Sequence, residues 1–193
     1  MLAAAAVIVA LAGCAPLDPT GRATVVSQST PELPEYVSYA AGTELADVSA
    51  IGLTSDFPAN PDWLTLTGGG TDVTIEMTDA GCSLLMRRGS SDDLGRAFTG
   101  EDATDTVATL AAHVGTAPQS TLPLLWSGND GAISVDALIF VVLNDEGEQV
   151  VALARAFGSL DTFLYAELTC GPGISTEAVF AEKVVPHLAV KLS

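Results

Sequence analysis

"ISVDALIFVVL" (Ile133–Leu143), "QVVALARAF" (Gln149–Phe157) and "TFLYAELTC" (Thr162–Cys170) follow one another with only short polar breaks. The first run is apolar on both faces near its end, which predicts a strand covered on both sides. Asn144-Asp145-Glu146-Gly147 and Gly158-Ser159 have the composition of tight turns. The three runs therefore read as an antiparallel meander, closed by Gly171-Pro172-Gly173.

Upstream, "TDVTIEMTDAGCSLLMRR" (Thr71–Arg88) alternates Val73, Ile75 and Met77 with polar neighbours, the period of a strand with one wet face. Asp79-Ala80-Gly81 turns the chain, and Cys82 to Arg88 returns as the second arm of a hairpin. Between hairpin and meander lies a helix. Thr99 with Asp102 resembles a capping box, Ala103, Val107, Leu110, Ala111 and Val114 form its apolar stripe, and Gly115 can end it. Leu122 to Trp126 reads as an apolar linker or a short strand. Downstream, Ser175 caps a final helix with a stripe of Phe180, Val184 and Leu188, which Pro186 must kink or end. Phe57-Pro58 and Pro61-Asp62-Trp63 read as turns, with Trp63 a core anchor, and Gly68-Gly69-Gly70 reads as another turn.

The fold expected is α+β, an antiparallel sheet of about five strands covered by helices. Its strand order follows from two cysteines. Cys82 opens the return arm of the hairpin and Cys170 closes the last strand of the meander. If those strands are antiparallel neighbours, the cysteines meet at one rim, within the roughly 4.4–6.8 Å between Cα atoms that a bridge spans. Numbering the strands in chain order, this predicts a Cys82–Cys170 disulfide and the order 1-2-5-4-3. Two cysteines outside a Cys-x-x-Cys unit suit a structural bridge in an oxidising compartment.

Seven Lys and Arg stand against twenty-four Asp and Glu, a net charge of −17, which argues against a nucleic-acid partner. With 48% hydrophobic residues the chain is no disordered acidic polymer. His113 sits at the edge of its helical stripe and His187 follows the Pro186 kink, neither in a metal-spaced motif. Ser91-Asp92-Asp93 and Asn144 to Glu148 are acidic without EF-hand spacing. Arg87-Arg88 reads as a pair of cations guarding a sheet edge. No Gly-x-Ser-x-Gly elbow and no Gly-Lys-Ser/Thr phosphate loop occurs. No catalytic residue, metal ligand or cofactor is expected, and the chain is read as non-enzymatic.

The chain opens with a dozen apolar or small residues, Leu2 to Gly13, too short to span a membrane but suited to a signal-peptide core. Leu11-Ala12-Gly13-Cys14 resembles the bacterial lipobox. That resemblance implies a diacylglyceryl group on Cys14 and cleavage before it. Met1-Leu2-Ala3 departs from the pattern, since such leaders carry a basic start. Pro16, Pro19, Pro31 and Pro34 then punctuate a Ser/Thr-rich stretch. The organisation expected is a lipoprotein signal peptide over 1–13, a flexible tether over 14–48 and a single domain over 49–193. Tyr36, Val37 and Tyr39 are the tether residues able to dock.

From about Phe57 to Ser193, the order of hairpin, helix, meander and final helix is similar to the PsbP/Mog1-like fold. With the lipobox, the chain resembles actinobacterial lipoproteins of the LpqN type. The resemblance implies a binding or assembly module without a catalytic site. The function expected is a monomeric, lipid-anchored module on the extracytoplasmic face of the cell membrane, binding a protein or an apolar ligand. The alternative is an envelope carrier holding an apolar, lipid-like molecule between sheet and helix.

Overall fold

The computed structural model describes residues 36–39, 51–55, 57, 63–69, 71–77, 81–116, 118, 122–127, 133–144 and 147–192. The lipobox, Cys14 and the tether outside 36–39 lie beyond the described residues. The strands are β1 (Tyr36–Val37), β2 (Ile51–Ser55), β3 (Trp63–Gly69), β4 (Asp72–Met77), β5 (Cys82–Gly89), β6 (Leu122–Ser127), β7 (Ser134–Leu143), β8 (Gln149–Phe157), β9 (Thr162–Cys170) and β10 (Leu188–Leu192). The α-helices are α1 (Asp102–Val114) and α2 (Thr176–Val179).

The fold is α+β. One sheet of eight strands runs β1-β7-β8-β9-β5-β4-β3, with β6 also paired to β7, and β2 pairs with β10 in a second sheet. This order differs from the expected five-strand order 1-2-5-4-3, because three further strands join the sheet. β3 lengthens the β4 side, while β1 and β6 both pair with β7. The sheet is also mixed rather than antiparallel, since β1 runs parallel to β7. The physical reasons are local. Gly68 and Gly69 lie opposite Val73 and Asp72 at the end of a β3–β4 hairpin, so glycines read as a separate loop belong to a strand. Pro123 has no N–H to donate, yet β6 has only β7 beside it, and an edge strand tolerates proline. Within the sheet, β4–β5, β5–β9, β9–β8 and β8–β7 are antiparallel pairs.

Two cores cover the sheet. One face packs on β2, β10 and the α2 region through Ile51, Trp63, Leu84, Leu153, Phe180, Val184 and Leu188. The other packs on α1 through Leu110, Phe140, Ala152, Ala154, Ala156, Phe163 and Tyr165. β8 is buried at every position from Val150 to Phe157, as a strand covered on both faces must be. Its alternate residues under α1 are alanines, so the helix approaches closely.

Two helical expectations are corrected. α1 begins at Asp102 with Glu101 as its N-cap, and its buried residues are Asp102, Asp105, Thr106, Thr109 and Leu110. Of the predicted stripe, Leu110 is fully buried and Val114 packs against the core, but Ala103 and Val107 turn outward and Val107 is exposed. Asp102 and Asp105 are buried acids. The C-terminal helix is short: α2 widens into a π-helical turn over Phe180–Val184, tightens at Val185–His187, and gives way to β10. Pro186 ends the helical run as its chemistry demands. Phe180, Val184 and Leu188 are buried as expected, but in two kinds of backbone.

Candidate functional site

β7 and β8 are paired from Leu143↔Gln149 at the hairpin to Leu138↔Ala154 and then part. β6 takes one edge of β7 over Ser134–Ile139, so β1 and β8 share the other edge. Where β8 leaves, β1 fills the β7 side with Tyr36↔Ser134 and Val37↔Val135. On the β8 side α1 substitutes its own side chains for a strand. The Ala156 N–H donates to Thr106 Oγ1 (2.9 Å) and the Gly158 N–H to Asp102 Oδ1 (2.8 Å). Arg155 bridges the gap: its Nη2 donates to Asp102 Oδ2 at 2.7 Å and to the Ser38 carbonyl at 3.0 Å. Its guanidinium carbon lies 4.2 Å from the Tyr39 ring centroid and 4.8 Å from that of Phe157.

Asp136 completes this anchor, accepting from Tyr36 OH (2.7 Å) and from the Tyr39 N–H (3.1 Å). Thus four residues in the span read as tether are fastened to the domain. Among the described residues, no hydrogen-bond partner of suitable distance and angle meets the buried Arg155 Nε, Arg155 Nη1 or Tyr39 hydroxyl. Burial lowers the Arg155 pKa and raises that of Asp102, each opposed by the partner's charge. The pair stays ionised, because guanidinium holds its proton and the Gly158 N–H supports the carboxylate.

The opposite end of α1 overhangs a groove of about 540 Å³, lined by His113, Val114, Gly115 and Thr116 on the helix side. Val142, Leu143, Asn144 and Val150 from the β7–β8 hairpin, with Glu167 and Thr169 from β9, complete it. The register explains the cluster. Tyr165 lies beside Arg87, and Arg87 beside Asp72, while Glu167 stands two residues along the same face of β9. The Tyr165 hydroxyl donates to Glu167 Oε2. Burial, then the Glu167 carboxylate, raises the Tyr165 pKa, so the phenol keeps its proton. His113 stacks on Tyr165 at 4.2 Å and meets Phe163 edge-on at 5.1 Å. Its Nδ1 is 3.0 Å from the Thr109 carbonyl. A carbonyl only accepts, so Nδ1 carries the proton and Nε2 is the acceptor. Burial lowers the His113 pKa, favouring this neutral ring.

Arg87 and Asp93 line an adjoining groove of about 310 Å³ that shares His113 and Glu167 with the first. Arg87 is not an edge guard, because β5 is flanked by β4 and β9. Its Nε and Nη2 fork onto Asp72 at 3.0 and 2.6 Å, which lowers the Asp72 pKa.

Cys82 and Cys170 form a disulfide, paired directly across β5 and β9 with their Cα atoms 4.0 Å apart. Asp93 caps its own turn by accepting from the Ser90 N–H. Asn144 closes the β7–β8 hairpin through Glu148 N–H to its Oδ1 (2.8 Å). His187 contacts the Phe57 ring. Among the described residues, no group of three His, Cys, Asp or Glu side chains could hold a metal ion, and no helix is long and apolar enough to cross a membrane. Sequence reasoning passed over Arg155, Tyr165 and Glu167. The signal was there for Arg155, an arginine within an apolar strand, since fully buried arginines are almost always paired.

No protein-family model and no curated protein matches the chain. A crystal structure of a protein from Bacteroides thetaiotaomicron is similar, with 15% identity and a TM-score of 0.40 over 67% of this chain. The chain spans 42% of the length of that protein, and a likeness of this degree assigns neither a family nor a site.

Proposed function

We propose that this chain is a non-enzymatic binding module of the bacterial cell envelope, lipid-anchored through Cys14 on the extracytoplasmic face. Its partner docks in the groove under the end of α1. The observation that carries this reading is the groove itself. It has the size of a ligand site, and it gathers His113, Glu167 and Thr169 beside Leu143, a large apolar side chain that is 66% exposed. The carrier alternative has less support, since both faces of the sheet are filled by packed side chains. The LpqN-type family reading belongs to this proposal, supported by the lipobox and by the order of hairpin, helix and meander.

Two measurements test it. In a lipoprotein-processing bacterium the protein partitions into detergent, and Cys14→Ala releases or misprocesses it; unchanged membrane retention would count against the anchor. A photo-crosslinking residue at position 143 gives a discrete adduct in cells, while the same residue at exposed position 182 does not. Equal labelling at both positions, or labelling at neither, would count against the groove as the docking site.

A further inference from the structure

Resting on that reading of the groove, we infer that it accepts an organic cation, an ammonium or guanidinium group carried on an apolar stem. The lining residues of the larger groove include one carboxylate, Glu167, and no lysine or arginine. One Glu167 oxygen accepts from Tyr165, and among the described residues no donor reaches the other, which can receive a ligand's donor. His113 offers a second acceptor, because its proton is engaged by the Thr109 carbonyl. The third source of negative potential is α1. Val114, Gly115 and Thr116 line the groove at the C-terminal end of this 13-residue helix. Such an end carries unpaired carbonyls and about half a negative charge.

Arg87, the nearby cation, lies in the adjoining groove that shares His113 and Glu167, and its charge is offset by Asp72, onto which it is turned by two hydrogen bonds. Val142, Leu143 and Val150 supply the apolar wall along which a stem lies. An anion would meet Glu167 and the helix end with like sign. A wholly apolar ligand would desolvate Glu167 without compensation. The net charge of −17 draws cations toward the protein as a whole.

The same chemistry occurs in a free alkylamine and in a lysine or arginine side chain of a partner peptide. The test is a titration of the full-length, detergent-solubilised protein with hexylammonium, its neutral counterpart hexanol and its anionic counterpart hexanoate. Binding is followed by calorimetry and by the NMR signals of His113 and Leu143. Hexylammonium is expected to saturate one site and to shift both signals. Glu167→Gln weakens it by about tenfold or more, the size of a lost hydrogen bond to a charged group. Leu143→Lys, at an exposed rim position that leaves the Tyr165–Glu167 contact intact, weakens it as well; Glu182→Gln does not.

Acetyl-Leu-Lys-Leu-amide binding tighter than hexylammonium identifies a peptide as the source of the cation, and weaker binding identifies a free amine. Hexanol or hexanoate binding as well as hexylammonium overturns the inference, as does undiminished binding in both groove variants. A position-143 adduct in cells without cation selectivity refutes the ligand class and leaves the binding module standing. Absence of both adduct and binding refutes the two together.

Discussion

Arg155 and Asp102 form an ion pair 2.7 Å long with both side chains out of water, joining the C-terminal part of a strand to the first residue of a helix. Nothing in the local sequence of either element requires it. The pair exists because β8 loses its strand neighbour near Ala154, and α1 and β1 take over the exposed backbone.

Breaking one side of this pair is expected to be severe. Asp102→Leu leaves a buried guanidinium without its counter-charge, for a loss of about 3–5 kcal/mol. Arg155→Met strands the carboxylate and is similarly harmful. The double variant Asp102→Leu/Arg155→Met is expected to be milder than either single one, because an apolar pair carries no uncompensated charge. Denaturant midpoints of the four proteins decide it, and additive losses would contradict the account.

Tyr39 gives the anchor a pH signature. Burial pushes its phenol from 10.0 up to about 12, against the opposing pull of Arg155. The folded state therefore favours the protonated phenol. Its contribution to stability is whole below pH 10 and is lost as the pH climbs toward 12. Tyr39→Phe should flatten the stability curve in that window. At neutral pH it should cost little, since the hydroxyl it deletes is buried without a well-placed partner among the described residues. Thermal melts of both proteins across the alkaline range measure this.

The period-two runs were readable because their signal is local: Val73, Ile75 and Met77 alternate within six residues. The disulfide was readable because two cysteines at strand ends have few ways to meet. The face of α1 was not. Hydrophobicity favours Ala103 and Val107, whereas the buried face presents Asp102, Asp105, Thr106 and Thr109. Those polar groups are tolerated through partners remote in sequence, Arg155, Ala156 and Gly158, and through Thr99 and Gly100 bound to Asp105. The groove was hidden for the same reason. His113 and Glu167 belong to different elements and meet only when α1 lies across β9. β10 escaped notice because Leu188–Leu192 becomes a strand only through β2, whose residues lie near the other end of the domain.

Gly89 is a tighter site than its place at a strand end suggests. A Cβ there would lie 2.5 Å from the Phe163 ring and 2.7 Å from Asp93 Oδ2. Phe163 is fully buried and Asp93 caps the following turn, so neither yields freely. Gly89→Ala is expected to destabilise by about 1–3 kcal/mol through overpacking. Unfolding of the variant checks this, and an unchanged midpoint would show that the ring can shift.

The disulfide spans a sequence separation of 88. Chain entropy places its contribution at about 4–5 kcal/mol, a large share of the stability of a domain this size. Reduction, or the double variant Cys82→Ser/Cys170→Ser, should lower the melting temperature markedly. Non-reducing peptide mapping of protein purified under oxidising conditions should recover the two cysteines linked.

The same bond gives the molecule a mechanical character. β5 and β9 are centred in the sheet, and everything between Cys82 and Cys170, including α1 and β6 to β8, lies in one covalent ring. Stretched from its two ends, the oxidised chain would lengthen only by the residues outside that ring. About 300 Å of contour, at 3.3–3.6 Å per residue, stays shielded from the load. The groove and the buried ion pair both lie on that shielded stretch, so pulling the outer strands away would leave both inside the covalent ring.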